Sequence, residues 1–318
     1  MSEVMKIIKP GLATSVQDLG RRGYQQYGVV VSGAMDDFAL QVANLLVGNS
    51  RGEAGLEIAL MGPEIFMLKD TVIAVCGADL SPKLDGESIS NWKSYGVEKG
   101  QILTFGKPQN GGYAYVAVAG GVKTPEVMGS KSTYVKTEMG GYKGRYLKKG
   151  DYVETGAAEY ELKRLTGRSI KVTNAMDYHA HNRIRIVLGP DSQGFSEESI
   201  QHFLTSAYRI TAQSDRMGYR LDGPALEGEA DIISDAVLPG TIQVPANGKP
   251  IVLLADRQTT GGYARIASVI SIDLPYVAQQ RTGKELRFVE VSVKEAQQLY
   301  VQRELLLRRL SIGARRIK

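Results

Sequence analysis

What most constrains this chain is how often its apolar runs are cut short. From Gly55 to Val122 they come as "LEIALMGPEIFML", "TVIAVCGADL", "QILTFG" and "YAYVAVAGGV", parted at Gly-Pro, Asp-Gly and Gly-Gly steps. Runs of this length, rich in Val, Ile and Tyr and bounded by turn residues, read as strands. The 36 Gly and 11 Pro provide the punctuation and show no collagen-like period. Only three stretches read as helix. In "MDDFALQVANLLVGN", Phe38, Val42, Leu45 and Leu46 recur at helical spacing, with Asp36 or Asp37 as cap and Gly48-Asn49 as stop. "SEESIQHFLTSA" follows a capping Ser196, and "SVKEAQQLYVQRELLLRRL" closes the chain. A few helices among many strands predict an α+β, mostly β fold, each half a barrel or curled sheet.

At 318 residues the chain exceeds one ordinary domain. A polar stretch without clear period, Glu159 to Lys171, suggests a division into residues 1–170 and 171–318. Words recur across it: "SVQDLGRRGYQQYG" resembles "AQSDRMGYRLDG", and "GGYAYVA" resembles "GGYARIA". Two related halves are expected.

The net charge of +5 is mild, and the Arg308, Arg309, Arg315 and Arg316 cluster reads as a solvated helix end, so no nucleic-acid partner is expected. No window is apolar enough to span a membrane, and "MSEVMKIIKPG" does not read as a signal peptide. The lone Cys76, inside an apolar strand, reads as a buried structural thiol in a reducing, cytoplasmic setting.

Familiar chemical motifs are thin. "VMGSKST" lacks the spacing of a phosphate-binding loop, although a Gly-Ser-Lys-Ser turn with Lys131 can in principle meet a phosphate; an ordinary turn is the expectation. His179 and His181, with Asp177, make too small a set for a metal site, and no metal is expected. "GNSRG" matches a nucleophile elbow but falls where a helix ends. "VMKI" lies too near the start of the chain to be a biotinylated hairpin tip.

Four polar clusters remain: Gln17, Asp18, Arg21 and Tyr24; Ser32, Gly33 and Asp36; Asp215, Arg216, Tyr219 and Arg220; and Asp256 to Tyr263. The last, in "DRQTTGGYARIA", follows the apolar run Ile251 to Ala255 and carries more polar residues than a turn needs. Arg can grip a carboxylate or phosphate, Gln and Asp can read an amide, and paired glycines admit close backbone approach.

The stretches "GLATSVQDLGRRGYQQYGVVVSGAMDDFALQVANLLVGN", "GSKSTY", "SDRMGYRLDGP", "SDAVLPGTIQVPANGKP" and "LLADRQTTGGYARIA" together resemble the carboxyltransferase-like family of allophanate hydrolase subunit 2, urea amidolyase and the KipI antagonist. The resemblance implies two related cyclophilin-like β-barrel halves. For a stand-alone bacterial chain of this length it implies the C subunit of an ATP-dependent 5-oxoprolinase, which opens 5-oxo-L-proline to L-glutamate. The partners implied are the KipI-like B subunit and the A subunit of that enzyme, with a small polar amide as substrate. ATP would bind with a partner or elsewhere, and no biotin would be attached to this chain. The catalytic residues would be Asp256 or Asp36, handling a proton, and Gln258, orienting the amide with Thr259 and Thr260. Arg21 and Arg216 would supply cations, Gly261 and Gly262 close approach, and Tyr263 a wall, with Tyr24, Tyr219 and Gln243 also binding substrate. Two alternatives stay open: a regulator that binds and antagonises a KipI-like sensor-kinase inhibitor, and a biotin-dependent carboxyltransferase acting on urea or a related amide.

Overall fold

The computed structural model describes residues 2–170, 178, 182–229 and 231–315. The chain forms two compact units: residues 1–22, 32–177 and 305–318 make the first, and residues 23–31 and 178–304 the second. His179, His181 and Asp177, weighed above as metal ligands, lie outside the described residues. No described helix is long and apolar enough to cross a membrane.

In the first unit the short runs become two antiparallel sheets. One has five strands in the order Ala13–Gln17, Gly55–Ala59, Asn110–Val118, Thr71–Asp79 and Lys93–Val97. The other has seven and is centred on Ser2–Lys9 and Glu64–Met67. Apolar residues of both, among them Met5, Ile7, Ile65, Leu56, Val75 and Val116, share one core. "TVIAVCGAD" is buried at every position but the last. A strand reads as a continuous apolar run when both its faces are covered. Here the helix Asp37–Leu46 covers the second face, packing on Thr71–Asp79 and Asn110–Val118. Cys76 sits fully buried in that strand as a free thiol.

The second unit is a closed seven-stranded β-barrel. Its ring runs Arg183–Leu188, Glu285–Glu290, Tyr208–Ile210, Gly218–Asp222, Ile251–Leu253, Thr241–Val244 and Thr260–Val269. It closes where Ile186 and Leu188 pair with Val269 and Ala267. Alternating inward residues fill it, as in Glu285–Glu290, where Leu286 and Phe288 are buried between exposed neighbours. Phe288 stacks on Phe203 at 4.7 Å, which seats the helix Glu197–Thr205 with its expected Ser196 cap. An eighth strand, Asp231–Ala236, pairs with Thr260–Val269 outside the ring.

The repeated words fare differently. "GGYAYVA" and "GGYARIA" each lie in the long strand that their sheet is built around, Asn110–Val118 and Thr260–Val269. The other pair does not correspond. Tyr24 precedes a 3-10 turn, Gln25–Tyr27, whereas Tyr219 lies within a strand. The polar stretch after Glu159 is also no free linker up to residue 170. It holds a short helix, Leu162–Leu165, whose Leu165 is fully buried and whose carbonyl there accepts from the Ser94 hydroxyl at 2.6 Å.

Candidate functional site

In the second unit the polar run begins where Ile251–Leu253 ends. Leu254 and Asp256 donate their amides to the carbonyls of Met217 and Arg216 at 2.9 and 2.8 Å, zipping two loops together. The side chains lock the same contact. Arg216 grips Asp256 with two hydrogen bonds, Nε to Oδ2 at 2.8 Å and Nη2 to Oδ1 at 3.1 Å. Both side chains are about nine-tenths buried, so this pair is shielded from the water that weakens surface ion pairs. Asp215 holds the turn before it, accepting from the Met217 amide.

Arg257, part of the Asp256 to Tyr263 run but with no role of its own expected, is buried and donates to the carbonyls of Val237 and Leu254. It ties the 237 loop to the end of the strand. Its position directly after Asp256, in a run with no apolar partner, was the available signal.

Beyond this clasp the chain surfaces. Gln258 and Thr259 are half-buried, and Thr260 and Tyr263 exposed. Gln243, buried on the neighbouring strand, donates from Nε2 to the Tyr263 carbonyl at 3.2 Å and accepts from the Gln258 amide at 3.4 Å. A Cβ on Gly261 would stand 2.5 Å from Gln243 Nε2, so only glycine leaves that carboxamide its place. The structure therefore brings Gln243, Gln258, Thr259, Thr260, Gly261, Gly262 and Tyr263 together at one strand end, with Asp256 and Arg216 behind them. Tyr219 is 6% exposed and its hydroxyl donates to the Ala278 carbonyl at 2.8 Å, so it braces the barrel wall. Tyr24, also in this unit, is 37% exposed beside its turn.

In the first unit the predicted residues do structural work. Arg21 is fully enclosed, and its guanidinium donates to the carbonyls of Ser132 and Val127. Asp36 is fully enclosed too, and its Oδ1 accepts from Ala39 N at 2.8 Å as the helix cap. Around it lies a buried chain in which the Asp36 amide donates to Tyr115 Oη, which donates to Glu57 Oε2, both at 2.7 Å. Burial, then the Glu57 and Asp36 carboxylates, push the Tyr115 hydroxyl well above its ordinary value. Burial, then Asp36, does the same for the Cys76 thiol, so it stays protonated and unreactive at neutral pH.

The Gly-Ser-Lys-Ser turn is filled from within. Asp18 accepts from Ser130 Oγ at 2.7 Å, Lys131 N at 2.6 Å and Ser132 Oγ. A carboxylate of the chain stands where a phosphate would, and Lys131 pairs with Glu53 at 3.0 Å. Gly48 to Arg51 of "GNSRG" line a cavity of about 390 Å³ with Leu45, Glu159 and Tyr160, at the opposite end of the helix from Asp36.

Comparison with known proteins gives a consistent picture. The model of the carboxyltransferase domain, subdomains A and B, matches residues 27–290. The protein named as the C subunit of 5-oxoprolinase from Escherichia coli K12 is 41% identical over 295 residues, 92% of this chain and 93% of its own. Its counterpart from Haemophilus influenzae is 35% identical over the same shares of the two chains. The crystal structure of Kluyveromyces lactis urea carboxylase matches 99% of this chain with a TM-score of 0.87 at 30% identity, and this chain spans 30% of that one.

Proposed function

This chain belongs to the carboxyltransferase domain family, subdomains A and B, and on that premise we propose that it is the C subunit of an ATP-dependent 5-oxoprolinase. In this reading it acts in the cytoplasm with the A subunit and the KipI-like B subunit to open 5-oxo-L-proline to L-glutamate. The observation that carries the reading is the match to the Escherichia coli protein over nearly the whole of both chains. The local chemistry agrees with it: a carboxamide pair, two hydroxyls and two glycines at one strand end suit a small amide.

An unstrained lactam is a poor electrophile, and ATP supplies the driving force when its phosphoryl group activates the lactam carbonyl oxygen. The Gly-Ser-Lys-Ser turn does not fit a phosphate, because Asp18 already takes its donors. The nucleotide is therefore assigned to the other two proteins, and this chain to the amide. Gln258 and Gln243 read the ring N–H and C=O, Thr259 and Thr260 add hydroxyl donors, and Tyr263 lies against the bound amide. The absence of a Cβ at Gly261 and Gly262 lets main-chain amides approach the carbonyl oxygen, where charge develops as water adds. Arg216 holds Asp256 in place behind this group, and in this reading the Asp256 carboxylate handles the proton.

The test is ATP-dependent glutamate release from 5-oxoproline by this chain mixed with its cognate A and B subunits, against a mixture lacking only this chain. Activity is expected in the first alone, and Asp256→Asn should abolish it, with a lower melting temperature because Arg216 loses its buried carboxylate partner. Equal activity without this chain overturns the reading. A second reading, carboxyl transfer from biotin on another chain to urea or a related amide, draws on the fold shared with urea carboxylase; urea-dependent turnover in place of glutamate release would favour it.

A further inference from the structure

The strand Asp231–Ala236 is the last in its sheet, paired with Thr260–Val269 on one side only. Five of its six residues are exposed, and Ile233 is 95% exposed, with Leu238 at 65% and Tyr263 across the ribbon at 43%. A two-stranded ribbon wetted on both faces is marginal by itself, and an apolar β-branched residue at its open edge invites a further strand.

We propose that this edge receives an antiparallel strand from a different protein, one that presents Lys or Arg to either side of an apolar residue. The charges select that occupant. The register against Thr260–Val269 shifts between Asp231 and Asp235, yet both carboxylates are exposed on the open edge, and a second copy would bring two such acidic edges together, where like charges weaken a sheet. A basic partner turns both contacts favourable and buries Ile233, with main-chain hydrogen bonds supplying the affinity. Arg265 already holds Asp235, through Nη1 to Oδ2 at 2.7 Å, and so keeps one acceptor in place on a side chain still 60% exposed. The partner would sit one strand away from Gly261 and Tyr263, since Asp235 pairs with Gly261 and Asp231 with Tyr263. The inference does not depend on the proposed reaction.

The probes are two fluorescent ten-residue peptides with one alternating Thr-Val core, flanked either by lysines or by glutamates, titrated into the full chain by anisotropy. The lysine peptide should bind at least about tenfold more tightly than the glutamate peptide. It should also slow amide exchange at residues 232–236. Asp231→Lys should reverse the preference, and Ile233→Ser should weaken binding while the melting temperature holds. Equal affinity for both peptides, or no binding of either, overturns the proposal. So does self-association of the free chain that Ile233→Ser abolishes, because that outcome makes a second copy the occupant.

Discussion

At the scale of single residues, space and hydrogen bonding decide more than charge. Gly261 is the clearest case, because the Gln243 carboxamide occupies the volume its side chain would need. Gly261→Ala must push that amide off Gln258, and a misplacement near 1 Å at a reacting centre costs about 10–100-fold in rate. The expected result is that loss in glutamate release by the reconstituted complex with little change in melting temperature; unaltered turnover would remove the Gln243–Gln258 pair from the site. Tyr208 presents the opposite situation. Burial pushes its hydroxyl up to about 12, and among the described residues that hydroxyl meets no hydrogen-bond partner. An unpaired buried hydroxyl costs about 1–3 kcal/mol. Tyr208→Phe keeps the ring against Phe203 and Phe288 and should raise unfolding free energy by about 1 kcal/mol. A loss of stability in urea titration would show that the hydroxyl is bonded after all.

At the scale of elements, the helix Asp37–Leu46 shows both what the sequence reveals and where it falls silent. Its apolar spacing and its stop at Gly48 are legible because they follow from local geometry alone. Asp36 is legible as a cap, yet the same carboxylate reads equally as a proton carrier, since accepting a hydrogen bond from Ala39 and accepting a proton need the same atoms. Only enclosure by distant strands separates the two roles, and enclosure is a long-range property. Likewise Asp18 and Arg21 read as a polar cluster in the text, but their partners Ser130 and Ser132 come from more than a hundred residues away. Asp36→Asn retains the cap and should leave both stability and turnover near wild type, whereas Asp36→Ala should cost about 0.5–2 kcal/mol. Loss of turnover in the Asn variant would restore Asp36 as a reacting group. The strand Thr260–Val269 carries a pH-sensitive link of its own. Arg265 reaches Asp191 at 2.7 Å and, chiefly through that hydrogen bond, holds its carboxyl below the ordinary range. A depressed carboxyl stabilises the fold in full above its unfolded value near 4, and the contribution is lost as pH falls through the folded value. Melting temperatures of wild type and Asp191→Asn should therefore differ at pH 7 and converge in acid below about pH 4; a constant gap would assign the effect to packing.

At the scale of the whole molecule, chain order and packing diverge. Residues 23–31 belong with the second unit although they lie deep in the first half, and residues 305–318 return to the first unit from the end of the chain. Composition reveals a change of texture near Glu159, but it cannot show a segment crossing from one unit to the other, because such a segment carries no special residues. The last helix, Val293–Arg315, displays the consequence. Leu305 and Leu306 are 45% and 43% exposed, while Leu307 beside them is fully buried. Among residues 305–312, Leu307 is the one that is fully buried. Leu307→Ala should cost about 2–5 kcal/mol, the range for a buried leucine that leaves a cavity, and Leu305→Ala no more than about 0.5 kcal/mol. Amide exchange then separates two explanations. If the returning segment is part of the first unit's core, Leu307→Ala speeds exchange in strands such as Thr71–Asp79, far along the sequence. If the helix is only laid on the surface, faster exchange is confined to residues 293–315 and the global unfolding free energy stays near wild type.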